Sequence, residues 1–223
     1  MSQQRRALVV RGGWDGHAPE EAVELFVPFL REHDFDVVVE GSLEVYADAS
    51  LMAATDLVVQ CWTMGDILAD ELHGLRDAVA AGTGFAGWHG GIIDSFRIAT
   101  DYLQLVGAQF AAHPRGIVDH SVTVVPERAD DPIVEGISGF SLRSEQYWLL
   151  ADDINDVLAT TTIAPGPDDQ WHAPVTSPAV WKRQWGDGRI FVCAPGHLLA
   201  DLELPPVRTI IERGLLWAAR SAD

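Results

Sequence analysis

The sequence predicts an α/β fold: a doubly wound, mainly parallel sheet with helices on both faces and an antiparallel hairpin extension at one edge. Three observations carry this reading. Short β-rich apolar runs alternate with helical patterns through the first half of the chain. The second half departs from that alternation at a hairpin turn signal, Gly186-Asp187-Gly188. Hydrophobic residues make up 48% and charged residues 22% of 223 residues, close to globular averages and enough for one substantial core. A single domain over 1–223 is expected.

The elements follow in order. Ala7 to Val10 is an apolar run that leads into Gly12-Gly13, and Pro19 to Asp34 carries Val23, Phe26, Val27 and Leu30 at helical spacing. Phe35 to Val39 and Asp56 to Trp62 read as strands. Asp66 to Ala81 reads as a helix that stops at Gly82, and Gly84 to Trp88 as the next strand. Parallel strands joined by helices imply right-handed crossovers. Beyond them, Val118 to Val125 and Val157 to Ile163 read as strands, and Pro178 to Trp185 pairs with Arg189 to Cys193 across the hairpin. Pro205 to Arg220 is a closing amphipathic helix with Val207, Ile210, Ile211, Leu215 and Trp217 toward the core.

Composition narrows the function. A net charge of −18 repels phosphate backbones and anionic lipid, so neither nucleic acid nor membrane is an expected partner. The Ala7 to Val10 run is too short for a signal-peptide core or a membrane span, and the two cysteines, Cys61 and Cys193, lie inside apolar runs and are too few for a disulfide framework. A cytoplasmic protein with buried, reduced thiols is the expectation.

In a doubly wound sheet, ligands bind beyond the carboxyl ends of the strands, so polar residues just after strands carry most weight. Three such places stand out. The first strand runs into Gly12-Gly13-Trp14-Asp15-Gly16-His17, where Asp15 and His17 supply polar groups. The strand at Gly84 runs into Trp88-His89-Gly90-Gly91, the pattern of a strained strand-to-helix elbow whose central side chain is displayed. That central residue is a histidine, a better proton shuttle or metal ligand than acyl nucleophile. The third place is Cys193-Ala194-Pro195-Gly196-His197. His113 before Pro114, Glu145 and the aromatic side chains of Tyr147, Trp148 and Trp181 are further candidates: Glu145 as acid, base or orienting group, the aromatics as platforms for a sugar ring. His33, His73, His120 and His172 fall within or beside helical and loop patterns and receive no role.

Taken together, Gly12 to His17, Gly87-Trp88-His89-Gly90-Gly91, Gly107-Ala108-Gln109-Phe110 with His113-Pro114, Asp131 to Gly136, Glu145-Gln146-Tyr147, and Pro178 to Trp181 continuing to Gly196-His197 resemble the ordered blocks of the ThuA-like (trehalose utilisation) family. The resemblance implies a flavodoxin-like sheet of the class I glutamine amidotransferase-like superfamily, with His89 at the elbow and His197 near the position of the amidotransferase histidine. It also implies a role in carbohydrate metabolism.

The expected activity is therefore an enzyme acting on a sugar or keto-sugar derivative. His89 and His197 exchange protons with Glu145 assisting, and Asp15, His17, Trp88, His113, Tyr147 and Trp181 bind substrate. A glutaminase is not expected. A non-catalytic carbohydrate-binding or regulatory module is the alternative, since fold alone does not decide function. His17, His89 and His113, with His197 or Glu145 nearby, are candidate ligands for a divalent metal, zinc or manganese, although no closely spaced histidine pair supports it. A small-molecule carbohydrate is the expected partner, with homo-oligomer formation left open.

Overall fold

The computed structural model describes residues 4–220. Eleven strands occur among the described residues: β1 (Arg5–Gly13), β2 (Phe35–Glu40), β3 (Leu57–Thr63), β4 (Gly84–Trp88), β5 (Ala108–Ala112), β6 (Ile117–Val124), β7 (Gly139–Glu145), β8 (Trp148–Ala151), β9 (Asp156–Ile163), β10 (Val175–Trp185) and β11 (Gly188–Cys193). Nine form one sheet in the order β2-β1-β3-β4-β11-β10-β9-β6-β7, while β5 and β8 pair by themselves. The half from β2 to β11 is parallel, and the half from β11 to β7 is antiparallel. The antiparallel part is thus as wide as the parallel part and not a single added hairpin.

The helices are α1 (Pro19–Glu24), α2 (Val27–Glu32), α3 (Ala49–Ala53), α4 (Ala69–Ala80), α5 (Gly90–Ile93), α6 (Thr100–Val106), α7 (Leu199–Glu203) and α8 (Pro205–Ala218). None is long and apolar enough to cross a membrane. Along β1 the side chains alternate between two cores. Ala7 and Val9 join Val23, Phe26, Val207, Ile211 and Leu215 on one face. Leu8 and Val10 join Leu72, Leu75, Tyr102 and Leu105 on the other. A strand covered on both faces has no polar side to show, which is why the parallel strands read as continuous apolar runs.

Two expectations fail for local reasons. The single helix over Pro19 to Asp34 is broken into α1 and α2, because Pro28 has no N–H to donate to the carbonyl of Glu24. β5, β7 and β8 carry little of the β-branched signature: β5 is Ala-Gln-Phe-Ala-Ala, β8 has four residues, and β7 turns Ser144 inward among polar neighbours. His120 lies half-buried on β6, within the strand expected over Val118 to Val125.

The edge that matters is where β1, β3, β4 and β11 end. β4 passes directly into α5 through His89, whose backbone takes φ 47° and ψ −143°. The turn is possible only because glycines surround it. A Cβ on Gly87 would sit 2.5 Å from the Gln60 carbonyl oxygen, and one on Gly91 would sit 2.9 Å from Cys61 Cα. Both obstacles are backbone of β3, which cannot swing aside. Gly87→Ala is therefore expected to destabilise the fold by about 1–3 kcal/mol, the usual cost of overpacking a core. A thermal melt unchanged from wild type would show that β3 and β4 can separate and that the close packing is not required.

Candidate functional site

Each side chain of the site is delivered by the end of a strand. After β1, Gly13 at φ 79° turns the chain so that the Trp14 amide donates to the Thr63 carbonyl at 3.0 Å. A single 3-10 turn, Asp15–His17, then presents His17, whose Nδ1 lies 2.9 Å from Thr63 Oγ1 at the end of β3. His89 follows β4. Its amide donates to the Cys193 carbonyl at 2.7 Å, and its Nδ1 donates to the Ala194 carbonyl at 2.8 Å. A carbonyl can only accept, so Nδ1 carries a proton and the neutral ring directs the lone pair of Nε2 into the site. The Tyr147 hydroxyl lies 2.8 Å from that Nε2 and Glu145 Oε2 lies 3.2 Å from it. The neutral ring accepts from the phenol; the charged ring donates to the carboxylate.

Glu145 is the centre. Its Oε2 is 3.3 Å from His197 Nδ1, and its Oε1 is 3.5 Å from His113 Nε2. The ring centroids of His17, His89 and His197 are 4.7, 5.1 and 5.3 Å apart in pairs. One ligating atom from each of His17, His89, Glu145 and His197 lies within 4.8 Å of the others. The three loop histidines that follow β1, β4 and β11 thus meet at one carboxylate.

Burial sets the protonation states. His17 is lowered to about 3, by desolvation first and then by His89 and His197. His197 is lowered by burial and by His89, against the pull of Glu145. Burial pushes the Glu145 carboxyl up, but the hydrogen bond and charge of His89, with His197 and His113 behind them, more than offset it and hold it below the ordinary value. Burial, then Glu145 and Asp94, raise the Tyr147 phenol well above its ordinary value. At neutral pH the site holds one carboxylate, a neutral phenol, and lone pairs on His17 and His197.

That donor set fits a metal. Zinc–nitrogen and zinc–oxygen bonds of about 2.0–2.1 Å in a tetrahedron separate neighbouring ligands by roughly 3.4 Å, and the Glu145 oxygen lies 3.2 and 3.3 Å from His89 and His197. His197 Nδ1 is buried and has no hydrogen-bond partner among the described residues. The Ala194 carbonyl orients His89 in the way an outer-shell acceptor orients a ligating imidazole. Of the ligands expected from sequence, His113 stands outside this group, with a side chain 40% exposed, and His197 takes its place.

Other expectations need correction. Trp88 and Trp181 are 2% and 0% exposed; Trp88 packs on Phe26, and Trp181 donates to the Val106 carbonyl. Neither can receive a substrate. Tyr147 is buried as well and stacks on His89 at 4.2 Å, so its aromatic face is occupied. Trp148 packs against Trp171. Asp15, expected at the substrate and not among the ligands, is exposed on the 3-10 turn that carries His17, and its placement does not contradict that expectation. His89 is only 1% exposed, so the elbow presents it inward and does not display it.

Several supporting residues had no strong mark in the sequence. Ser144, beside Glu145, donates to Asp201 at 2.5 Å, and Asp201 accepts from the Leu198 amide at 3.0 Å. This welds the Glu145 strand to the loop that carries His197. Beneath α5, Gln60 bonds Tyr46, Tyr102, Ser95 and the Gly91 carbonyl. Thr63 was recoverable as the residue that ends a strand at the ligand edge.

Such a fold and site define an α/β protein with a histidine-glutamate centre at the ends of its parallel strands. The family model described as ThuA, trehalose utilisation, matches residues 6–218, and the chain belongs to that family. No curated protein matches the chain. Among solved structures it is similar to a ThuA-like protein from Bacteroides uniformis, with 14% identity, a TM-score of 0.77, and coverage of 97% of this chain and 92% of the other. A ThuA-like protein from Parabacteroides merdae gives 15% identity, a TM-score of 0.75, and coverage of 97% and 90%. A cytoplasmic protein of Salmonella typhimurium LT2 gives 16% identity, a TM-score of 0.66, and coverage of 96% and 100%. At these identities the likeness is one of fold.

The depressed His17 makes stability depend on pH with a definite sign. Between about 3 in the folded chain and roughly 6.5 in the unfolded chain, only the unfolded state binds the proton, so stability falls as pH drops through that window. The His17→Gln variant is expected to lose less stability than wild type between pH 6.5 and pH 4 in denaturant titrations. Parallel curves for the two proteins would show that His17 is not held neutral.

Proposed function

We propose that this chain is an enzyme of carbohydrate metabolism that acts on a sugar or keto-sugar derivative at the His17, His89, Glu145 and His197 centre, with a divalent metal, zinc or manganese, as its cofactor. The observation that carries the reading is the convergence of three imidazoles, two of them held below their ordinary pKa, on one carboxylate held ionised. The family description, trehalose utilisation, supports the carbohydrate substrate class. The strand order 2-1-3-4-11 of the parallel half supports a flavodoxin-like, class I glutamine amidotransferase-like classification.

Three of His17, His89, Glu145 and His197 would hold the ion and leave a position for substrate. When bound, it would supply Lewis acidity toward a substrate carbonyl or hydroxyl oxygen. The protein's own groups manage protons. Without the ion, the Tyr147 hydroxyl donates to the lone pair of His89 Nε2 at 2.8 Å; with that lone pair on the ion, the phenol keeps its proton and would donate to a substrate oxygen instead. His113, part exposed and 3.5 Å from Glu145, connects the carboxylate to solvent. A keto sugar has acidic C–H bonds beside its carbonyl, so this arrangement suits enolisation, elimination or glycosidic cleavage. Two-carboxylate glycoside hydrolysis is not supported, because Glu145 is the one carboxylate in the cluster. Glutaminase chemistry is not supported either: burial pushes the Cys61 thiol up to about 12 and raises Cys193 as well. Both thiols are free and buried, which suits a reducing cytoplasm.

The test is incubation of the protein with trehalose, maltose and their 3-keto derivatives, followed by mass spectrometry of products. Conversion of at least one is expected, with Glu145→Gln slowing it by about a hundredfold or more, the scale of a lost acid–base group. Return of every sugar unchanged would favour a non-catalytic binding module. Elemental analysis of untagged protein is expected to find about one zinc or manganese ion per chain, and a chelator is expected to stop turnover. Activity without metal and indifferent to chelator would leave acid–base histidines alone. His89→Ala is expected to abolish turnover and also to lower stability by about 1–3 kcal/mol, because it strips the buried Ala194 carbonyl of its donor.

A further inference from the structure

The proposed substrate lacks a seat in the residues described so far, since Trp88, Trp181 and Tyr147 are all buried. One tryptophan beside the cluster is not. Trp14 is 47% exposed, and its indole lies 4.8 Å from the His17 ring at an interplanar angle of 72°. Through His17 it adjoins His89 and His197. Trp14 thus keeps part of its ring open to solvent directly beside an imidazole of the cluster.

Its position is built, not loose. The Trp14 backbone is tied to Thr63 of β3. Gly13 takes a left-handed φ at a place where a Cβ would lie 2.1 Å from the Thr63 carbonyl oxygen. On Gly16, a Cβ would fall 2.2 Å from Cζ2 of the indole, so the six-membered ring rests directly on the Gly16 backbone. The short run Gly13 to His17 therefore places an aromatic ring and an imidazole of the cluster side by side, with one element fixing both.

We infer that Trp14 is the platform on which the pyranose ring of the ligand stacks, and that it selects sugars with an unhindered C–H face. An aromatic face is electron-rich and attracts the weakly positive C–H bonds of a sugar ring. A pyranose whose ring hydroxyls are all equatorial, as in glucosides, offers such a face, whereas an axial hydroxyl on that side holds the ring away. Stacked there, the sugar has its edge toward His17 and the Glu145 carboxylate beyond it. The inference rests on the carbohydrate reading above.

Calorimetric titration with trehalose, maltose and 3-keto-trehalose tests it, all on the Glu145→Gln background so that turnover does not intrude. Trp14→Ala and Trp14→Leu are each expected to raise Kd about tenfold, and Trp14→Phe to stay within about threefold, with melting temperatures near that of the parent because the residue is part exposed. Gly16→Ala, which displaces the indole, is expected to weaken binding in the same direction. Trp14→Ala within twofold of the parent would overturn the platform, and so would full affinity in Trp14→Leu, which keeps apolar bulk without an aromatic face. Absence of binding to the parent, together with no turnover by the wild type, would bring down the carbohydrate reading itself, and this inference with it.

Discussion

The backbone of His89 is the constraint around which the rest of the site is arranged. At φ 47° and ψ −143° it occupies a region that costs a non-glycine residue about 1–3 kcal/mol. Three kinds of contact hold it there. The amide and Nδ1 both bond the chain that leaves β11, and the carbonyl accepts from the amides of Ile92 and Ile93 at 3.3 and 3.0 Å. Glycines at 87, 90 and 91 clear the space that β3 and His17 occupy. Beneath the turn, Gln60 spends its amide on Gly91, Ser95 and Tyr102, so the floor of α5 is hydrogen-bonded and not merely packed.

That fixed imidazole would be idle without its carboxylate, and the antiparallel half supplies it. β7 lies four places from β11 in the sheet, yet Glu145 reaches His197 and Ser144 bonds Asp201 just beyond it. The segment that leaves β11, from Ala194 to Asp201, and the end of β7 therefore meet at the carboxyl edge of the parallel strands. Against its own burial, Glu145 is held below the ordinary carboxylate value by the hydrogen bond and charge of His89, while burial first and neighbouring imidazoles second lower His17 and His197. Each group thus enforces the state of its neighbours, which is the condition for binding a cation or passing a proton.

Much of this was legible in the residues. The apolar runs of β1, β3, β4 and β11 stand out because both faces of those strands are covered, and the histidines after three of them stand out because glycines crowd around them. The elbow was legible for the same reason: glycine on both sides of one side chain is costly without a sharp turn. Ser144, Asp201 and Gln60 were not legible, since a single polar residue in a strand or helix has the same local pattern whether it faces water or a buried partner.

By itself, then, the sequence determined which segments are strands with two apolar faces, where the chain turns sharply, and which loops carry imidazoles, because periodicity and glycine placement are local properties. Tertiary structure alone decided that His197 and not His113 completes the cluster, that Trp88, Trp181 and Tyr147 are buried while Trp14 stands open, and that Glu145 lies where the imidazoles meet. Those outcomes depend on strand order and on contacts between segments far apart in the chain, and neither leaves a trace in the spacing of residues along it.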